Sequence, residues 1–303
     1  MIMENKEKKI LVTHNGTFHS DDIFACATLS LFLEKNNQEF EIIRTRDENI
    51  INRADYVFDV GGVYNKEKNR FDHHQIGGAG KHDDGIEYAS FGLVWEKFGN
   101  EVCNSEKIAK KINLKLVEAV DSHDNGISLT KNNFDISPYT IQDVFNSMRK
   151  TWKEDADFNN EMFLKCVSFA KEILKREIKQ VQDYLLAEEK VKEIYENTKD
   201  KRIIVLDDNY PFGEVLFEFP EPIYVVRPRD NDHTWGIDCM RKEKRSFMNR
   251  KDLPFSWSGL RDEEFQKVTG VNDAVFCHRA LFLAVAKSKE GAIKLAQLAL
   301  ENN

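Results

Sequence analysis

One segment near the middle of the chain restricts the fold more than any other feature. From Phe158 to Asn197 there is neither proline nor glycine, and apolar residues recur at the spacing of one helix face. These apolar positions are Phe163, Val167, Ala170, Leu174, Ile178, Val181, Leu185, Val191 and Ile194. A helix of this length would extend about 60 Å at about 1.5 Å per residue. We therefore predict a long, largely exposed helical connector over residues 156–200, between domains at residues 1–155 and 201–303.

Both predicted domains show alternating strand and helix patterns. A length of 303 residues exceeds what one hydrophobic core usually holds, which supports the division. Strands separated by helices are typical of a parallel sheet, which we predict for the first domain. Its strands are predicted at 8–13, 40–47 and 56–62, its helices at 22–35, 88–98, 105–120 and 139–152, and 69–85 as mostly loop.

The segment after the connector predicts a second, smaller α/β domain with a mixed sheet. Its short apolar runs are bounded by polar and turn residues, as strands usually are. We predict strands at 202–208, 222–230, 234–240 and 273–278, and helices at 259–270 and 289–301. The fold class is therefore α/β, with two domains joined by a long helix.

Composition excludes several classes of protein. No apolar run approaches the ~20 residues of a membrane span. The start, MIMENKEKK, resembles neither a signal nor a transit peptide, so we predict a cytoplasmic protein. The five cysteines have no close pairs, which argues against a zinc ribbon or a disulfide framework. A net charge of -8 disfavours a pure nucleic-acid-binding module, but not an enzyme that holds cations and contacts few phosphates.

Histidines and aspartates are concentrated at the predicted ends of the first-domain strands. Ligands of open α/β sheets collect beyond these carboxyl ends, so separate turns can converge there. Imidazole and carboxylate together suit Mn, Fe, Co or Zn, and a carboxylate can bridge two ions. The coincidence of these residues predicts a metal site, with His14, His19, Asp21, Asp59, Asp72, His73 and His74 as candidates.

Each candidate also has a simpler interpretation. Asp21 and Asp22 could favour a helix N-terminus, and Asp59 could be a turn residue before two glycines. Adjacent side chains on a strand point in opposite directions, so one of the two neighbouring histidines could be structural. The segment DSHDNG at 121–126 is on its face an Asn-Gly turn. His82 lies in a polar loop, where we expect it to be solvated.

Several motifs carry a family resemblance. THNGTFHSDD, RTRD, DVGG, FDHHQ and DNGI resemble those of the DHH phosphoesterase superfamily, and more closely its Myg (melanocyte-proliferating gene) branch of metal-dependent hydrolases. The resemblance continues over residues 246–294 and weakens around 76–110 and 155–240. It implies a DHH-type catalytic domain followed by a smaller domain that closes over it and grips the substrate.

The resemblance also implies residue roles. Asp59 would bridge two metals and act in catalysis, with His74 facing the substrate phosphate. Asp72 would orient the two adjacent histidines. Of the two aspartates in DSHDNG we prefer Asp121 as ligand, because it ends the predicted helix, and leave Asp124 to close the turn. The implied metal ligands are then His14, His19, Asp21, Asp59, His73 and Asp121.

The second domain offers candidates for substrate contact. Guanidinium groups match phosphate oxygens, although each arginine could equally form a surface salt bridge. His278 follows a predicted strand and is expected to face the cleft. Where Myg relatives have a small, glycine-rich turn after this histidine, the chain has RALFLAVAKSKEG, so substrate grip there is expected to differ. The candidate arginines are Arg241, Arg245, Arg250 and Arg261.

The resemblance predicts a phosphoesterase that uses two divalent metals, with manganese preferred and Co, Mg or Zn not excluded. RNA or an oligonucleotide would be the substrate, attacked as by a 3′–5′ exonuclease. The alternatives are a small-molecule phosphatase or pyrophosphatase, and a metal-containing regulatory protein without turnover. A nuclease should present aromatic side chains that stack bases, and Trp235 and Trp257 are available unless they belong to the core.

Overall fold

The computed structural model describes residues 8–229, 232–243 and 246–302. The chain divides into two compact units, Met1–Gln182 and Asp183–Asn303. Each unit has its own five-stranded sheet, in agreement with the predicted two-domain α/β fold.

The sheet of the first unit is mostly parallel, which confirms the prediction. Its strand order is β2-β1-β3-β5-β4, and only the β4–β5 pair is antiparallel. The last two strands were not predicted, because two-residue strands leave no alternating pattern in the sequence. The strands are β1 (Lys9–Thr13), β2 (Phe40–Arg44), β3 (Tyr56–Phe58), β4 (Tyr64–Asn65) and β5 (Arg70–Phe71).

Helices surround this sheet: α1 (Ser20–Lys35), α2 (Glu48–Arg53), α3 (Ser90–Cys103), α4 (Glu106–Ile112), α5 (Glu118–Asp124) and α6 (Ile141–Ser147). Helix α1 packs against α3, where the Phe24 and Phe91 rings stack with centroids 5.2 Å apart. A π-helical turn, Asn113–Val117, joins α4 to α5. Turns of this kind are frequent at functional sites, and this one leads into the helix that carries DSHDNG.

The predicted connector is a single α-helix, α7 (Ala156–Asn197), but it is not largely exposed. Phe163, Ala170 and Leu174 are fully buried, and Val191 is fully buried further along the helix. The apolar face therefore contributes to one core and then to the other. The two units divide after Gln182, inside the helix and within the range predicted for the connector. Among the described residues no helix, α7 included, is both long and apolar enough to cross a bilayer.

The sheet of the second unit is mixed, as predicted. Its order is β6-β7-β8-β10-β9, with only β6 and β7 parallel. Strand β10 was missed, because its sequence was taken as part of the altered turn after His278. The elements are β6 (Ile203–Val205), α8 (Gly213–Phe217), β7 (Tyr224–Pro228), β8 (Trp235–Cys239), α9 (Asp262–Thr269), β9 (Ala274–Cys277), β10 (Leu283–Ala286) and α10 (Lys289–Glu301).

Candidate metal centre

Asp59 lies at the centre of a buried cluster of histidines and aspartates. It directly follows β3, is 2% exposed and has a left-handed backbone conformation with φ of +54°. A non-glycine residue in this region is uncommon and persists only where its surroundings hold it. The backbone N–H of Asp59 donates to the Phe71 carbonyl on the neighbouring strand at 3.2 Å. The sheet therefore fixes an unusual conformation at the end of its strand.

The two carboxylate oxygens of Asp59 face two different pairs of histidines. Oδ2 lies 3.1 Å from Nε2 of His14 and 3.6 Å from Nε2 of His19. Oδ1 lies 3.5 Å from Nδ1 of His74 and 3.7 Å from Nε2 of His73. One carboxylate thus stands between two sets of nitrogen donors, which is the arrangement a bridging ligand requires.

Asp124 joins this cluster and Asp121 does not, which reverses our preference. Asp124 Oδ1 is 3.1 Å from His19 Nδ1, and its Oδ2 is 3.2 Å from His73 Nε2. Helix α5 continues to Asp124, so this residue, not Asp121, ends the helix beside the site. The Asp121 carboxylate instead meets His82 Nε2 at 2.7 Å and accepts from the Gly92 N–H at 3.1 Å.

Asp21 binds the N-terminus of an unexpected helix, and it also lies beside the cluster. Its carboxylate accepts hydrogen bonds from the backbone N–H groups of Ser90 and Phe91, at 3.1 and 2.6 Å. These residues begin α3, so Asp21 stabilises the N-terminus of that helix and not of its own. One Asp21 oxygen nevertheless lies within 4.8 Å of ligand atoms of His19 and Asp124.

Asp22 is a member of the cluster that the sequence analysis did not assign. It is fully buried, and its Oδ1 accepts from the backbone N–H of His19 at 2.9 Å. Its Oδ2 lies 3.2 Å from Nε2 of His14. The available signal was the doubled aspartate after His19, which we had attributed to the start of α1.

The cluster leaves many buried polar atoms without hydrogen bonds. Among the described residues, six of the ten such side-chain atoms belong to it. Buried polar atoms are normally satisfied, so a shared partner would account for this concentration. The atoms are Nε2 of His14 and His73, Nδ1 of His19, Oδ2 of Asp22 and both oxygens of Asp59. Nitrogen and carboxylate donors in this mixture fit a divalent transition metal.

Opposite charges within the cluster explain its pKa shifts. Burial opposes protonation of His14, but the Asp22 and Asp59 carboxylates beside its Nε2 raise its pKa to about 9. Burial likewise opposes protonation of His73, whereas Asp124 and Asp59 raise its pKa to about 11. Burial opposes ionisation of Asp124, yet the paired histidines lower its pKa. A metal that binds here must therefore displace protons from the histidines.

His74 is held differently from its neighbour. Its Nδ1 lies 2.8 Å from Asp72 Oδ1, and its side chain is 60% exposed. The other Asp72 oxygen accepts from the Gly62 N–H at 2.6 Å, which fixes the carboxylate. His73, by contrast, is nearly enclosed, with its side chain 9% exposed. Asp72 thus orients an open imidazole. Because ligand atoms of His74, His73 and Asp59 also lie within 4.8 Å of one another, the division of roles between the two histidines stays a prediction.

A cavity of about 430 Å³ opens onto the cluster, and its lining includes His14, His19, Asp59, Asp72 and His74. Arg46 also lines it and is exposed. We did not select this arginine from the sequence, although it belongs to the motif RTRD. It contributes a positive charge to a cavity whose other charged side chains are aspartates and histidines.

The expectation that His82 is solvated was wrong. The residue is 5% exposed, and its ring packs on Tyr88 with centroids 4.1 Å apart. Burial raises the pKa of Asp121 to about 6, although the hydrogen bond to His82 acts in the opposite direction. The loop is folded inward because the buried Asp121 carboxylate needs this partner.

The selected residues of the second unit make contacts within that unit. The Arg250 guanidinium donates to the carbonyls of Pro222 and Phe217, at 2.8 and 3.3 Å. Arg261 precedes α9, with its guanidinium 5.2 Å from the centroid of the Phe276 ring. Nδ1 of His278 accepts from the Ala280 N–H at 3.1 Å. Arg245 lies outside the described residues. Substrate contact by Arg250, Arg261 or His278 remains a prediction.

Neither tryptophan proposed for base stacking is freely available. Trp257 is 3% exposed and belongs to the core of the second unit, where it meets the Phe265 ring. Trp235 packs against the same core and lies under the Lys289 ammonium group. If bases are stacked in this unit, other aromatic residues must do it.

Comparison with known proteins gives a consistent result. The family model MYG1_exonuc, described as an uncharacterised protein family (UPF0160), matches residues 10–300. The chain is 30% identical to the MYG1 protein of Dictyostelium discoideum, over 94% of each chain. It is 30% identical to the MYG1 exonuclease of Homo sapiens, covering 95% of this chain and 85% of the relative.

The matched solved structures include an exopolyphosphatase-related protein from Bacteroides fragilis. It is 12% identical, over 98% of this chain and 93% of that one, with a TM-score of 0.25.

Proposed function

Because the chain belongs to the MYG1 family, we propose that it is a metal-dependent phosphoesterase that removes nucleotides from RNA or oligonucleotide ends. The relatives from Homo sapiens and Rattus norvegicus are named MYG1 exonuclease, at 30% and 31% identity. The observation that carries the proposal is the Asp59 carboxylate, whose two oxygens face separate histidine pairs.

The cluster contains enough donors for two divalent ions that share Asp59. His14, His19 and Asp22 would serve one side, and His73 and Asp124 the other, with Asp21 at the edge. Asp121 is not proposed as a ligand, since His82 and Gly92 already occupy its carboxylate. Manganese suits this mixture of nitrogen and oxygen donors. When bound, such a pair of ions supplies an ionised water and offsets charge on the phosphoryl oxygens.

His74 would stabilise charge on the phosphate during the reaction. Its hydrogen bond to Asp72 raises its pKa and favours a proton on Nδ1. In the protonated ring Nε2 also carries a hydrogen, which it can donate to a phosphate oxygen. A donor held in place before the reaction is most effective where negative charge develops. Arg46, at the same cavity, would help to attract the anionic substrate.

The test uses metal-stripped protein that is re-supplied separately with Mn, Co, Mg or Zn. Short RNA, short DNA, pyrophosphate and a chromogenic phosphodiester are the substrates. We expect turnover of RNA to be fastest, with Mn most effective, and end-labelled RNA to be shortened from its 3′ end. Asp59→Asn is the control for contaminating nucleases. Turnover of pyrophosphate alone would favour a small-molecule phosphatase, and metal binding without any turnover would favour a regulatory protein.

A further inference from the structure

The second unit contains a pocket of its own, with a volume of about 740 Å³. Four phenylalanines contribute to its wall, together with the polar side chains of Arg241 and Asn249. Largely apolar and aromatic walls with a few polar groups are typical of sites for small organic ligands, and the volume lies in their usual range. The phenylalanines are Phe212, Phe217, Phe247 and Phe282.

Phe247 lies between two short stretches of chain that are hydrogen-bonded to each other. Arg241 and Asn249 form an antiparallel bridge, and the Lys242 N–H donates to the Met248 carbonyl at 2.8 Å. The Arg241 guanidinium lies 5.2 Å from the centroid of the Phe247 ring. The Phe247 residue is still 90% exposed. Such exposure of a large aromatic residue, backed by a cation, leaves a ring face open for stacking.

Phe282 comes from the turn that departs from the Myg pattern. Leu281, just before it, has φ of +57°, a conformation that favours glycine. The turn is nevertheless fixed, because Leu281 donates to the His278 carbonyl at 2.8 Å and accepts from the Leu253 N–H at 2.9 Å. Phe282 is 41% exposed and packs on the His278 ring with centroids 4.4 Å apart. A strained turn held in this way is a sign of a functional constraint.

The charges in the pocket favour the base of a nucleotide over its phosphate. Glu214 and Asp238 also line it. Asp238 Oδ2 is paired with the Arg227 guanidinium at 2.8 Å, and Glu214 sets a negative charge against Arg241, which disfavours a phosphate inside. The two carboxylates can accept hydrogen bonds from the amino groups of a base, while the rings stack on its faces. We propose that this pocket binds a nucleobase of the substrate, with Phe247 and Phe282 as stacking residues. This inference rests on the proposed function, and it assigns to phenylalanines the stacking that the two tryptophans do not provide.

The test measures binding and turnover in the full-length, Mn-loaded protein. Adenosine should bind more tightly than ribose, since ribose carries no base. Phe247→Ala and Phe282→Ala should each weaken adenosine binding about tenfold, within the range for stacking on one aromatic ring, and raise the KM for short RNA to a similar degree. Phe247→Trp should retain both properties. Phe255→Ala is the matched control, because Phe255 is 86% exposed in the same unit but lies outside the pocket lining.

The possible results separate this inference from the proposed function. If RNA is hydrolysed but neither alanine variant changes adenosine binding or KM, the pocket does not bind bases and the phosphoesterase proposal stands. If no oligonucleotide is hydrolysed while adenosine binding depends on the two phenylalanines, the proposed function fails and the base pocket stands. Adenosine that binds no better than ribose overturns the inference outright. Metal content, measured for every variant, checks that the first unit remains intact.

Discussion

The cavity around Asp59 and the aromatic pocket of the second unit have linings that indicate different kinds of ligand. The first, of about 430 Å³, is bordered by buried nitrogen and oxygen atoms that lack partners. The second, of about 740 Å³, is bordered by four phenylalanines, of which Phe247 and Phe282 stay exposed. Unsatisfied polar atoms point to an ion, and open apolar faces point to a flat organic group. In the proposed enzyme the first unit would supply the chemistry and the second the recognition of a base.

Removing the charge of Asp59 is expected to have the largest effect on this division. Asp59→Asn keeps the size of the side chain but weakens both ion positions at once. We expect activity to fall on the order of 1000-fold, the upper range for loss of one group that stabilises developing charge. The unaltered protein is expected to hold about two Mn ions per chain. Elemental analysis of the variant should show fewer. Full metal content with full activity in this variant would refute the bridging role.

Asp124 and Asp121 form a matched pair that tests which carboxylate belongs to the metal centre. Asp124→Asn should lower metal affinity by at least about 10- to 100-fold. Mutation of a residue that only orients a metal ligand already lowers affinity by this much. Asp121→Asn should keep the metal but lower the free energy of unfolding by about 1–3 kcal/mol, since it disturbs a buried hydrogen bond. Metal titrations and urea denaturation of both variants provide the comparison. The reverse outcome would restore Asp121 as the ligand.

The adjacent histidines allow metal binding to be separated from substrate contact. His73→Ala should lose metal occupancy and recover part of its activity in excess Mn. His74→Ala should keep its metal and lose activity by about 2–4 kcal/mol of transition-state stabilisation, without rescue by Mn. The measurements are metal content and rate against Mn concentration. If instead His74→Ala loses the metal and His73→Ala retains it, the two roles are exchanged.

The pH dependence tests the charge balance of the first cavity. The pKa of His14 is raised from 6.5 to about 9 in the folded protein. Its contribution to stability is therefore complete below pH 6.5 and is lost as pH rises toward 9. Metal-stripped protein should lose stability over this window, while apparent metal affinity should rise by up to about tenfold per pH unit for each proton displaced. Denaturation at pH 6, 7.5 and 9, with chelator or with Mn, measures both. A metal affinity that does not change over this window would contradict the proton displacement.

Much of the fold followed from local sequence patterns. The spacing of apolar residues was sufficient for α7. Of the ten strands in the part of the chain that the structure describes, short apolar runs identified seven, β1 to β3 and β6 to β9. Strands β4 and β5 are too short to leave a pattern, and β10 was hidden in a segment interpreted as a turn. The point within α7 at which the units divide could not be predicted, because helical periodicity shows that a face is buried, but not which core covers it.

The sequence alone also predicted which kinds of side chain gather in the first unit. His14 and Asp59 end predicted parallel strands, whose carboxyl ends meet at one edge of the sheet, so these two could be grouped without coordinates. His73 was grouped with them through the motif FDHHQ, because its strand was not predicted. Tertiary structure decided the rest. It extended α5 to Asp124, turned His82 inward to Asp121, brought Asp22 to His14 and left Phe247 and Phe282 exposed in one pocket. Spacing along a chain predicts which residues share an element. Which carboxylate remains unpaired, and which ring remains uncovered, depends on contacts between residues far apart in sequence.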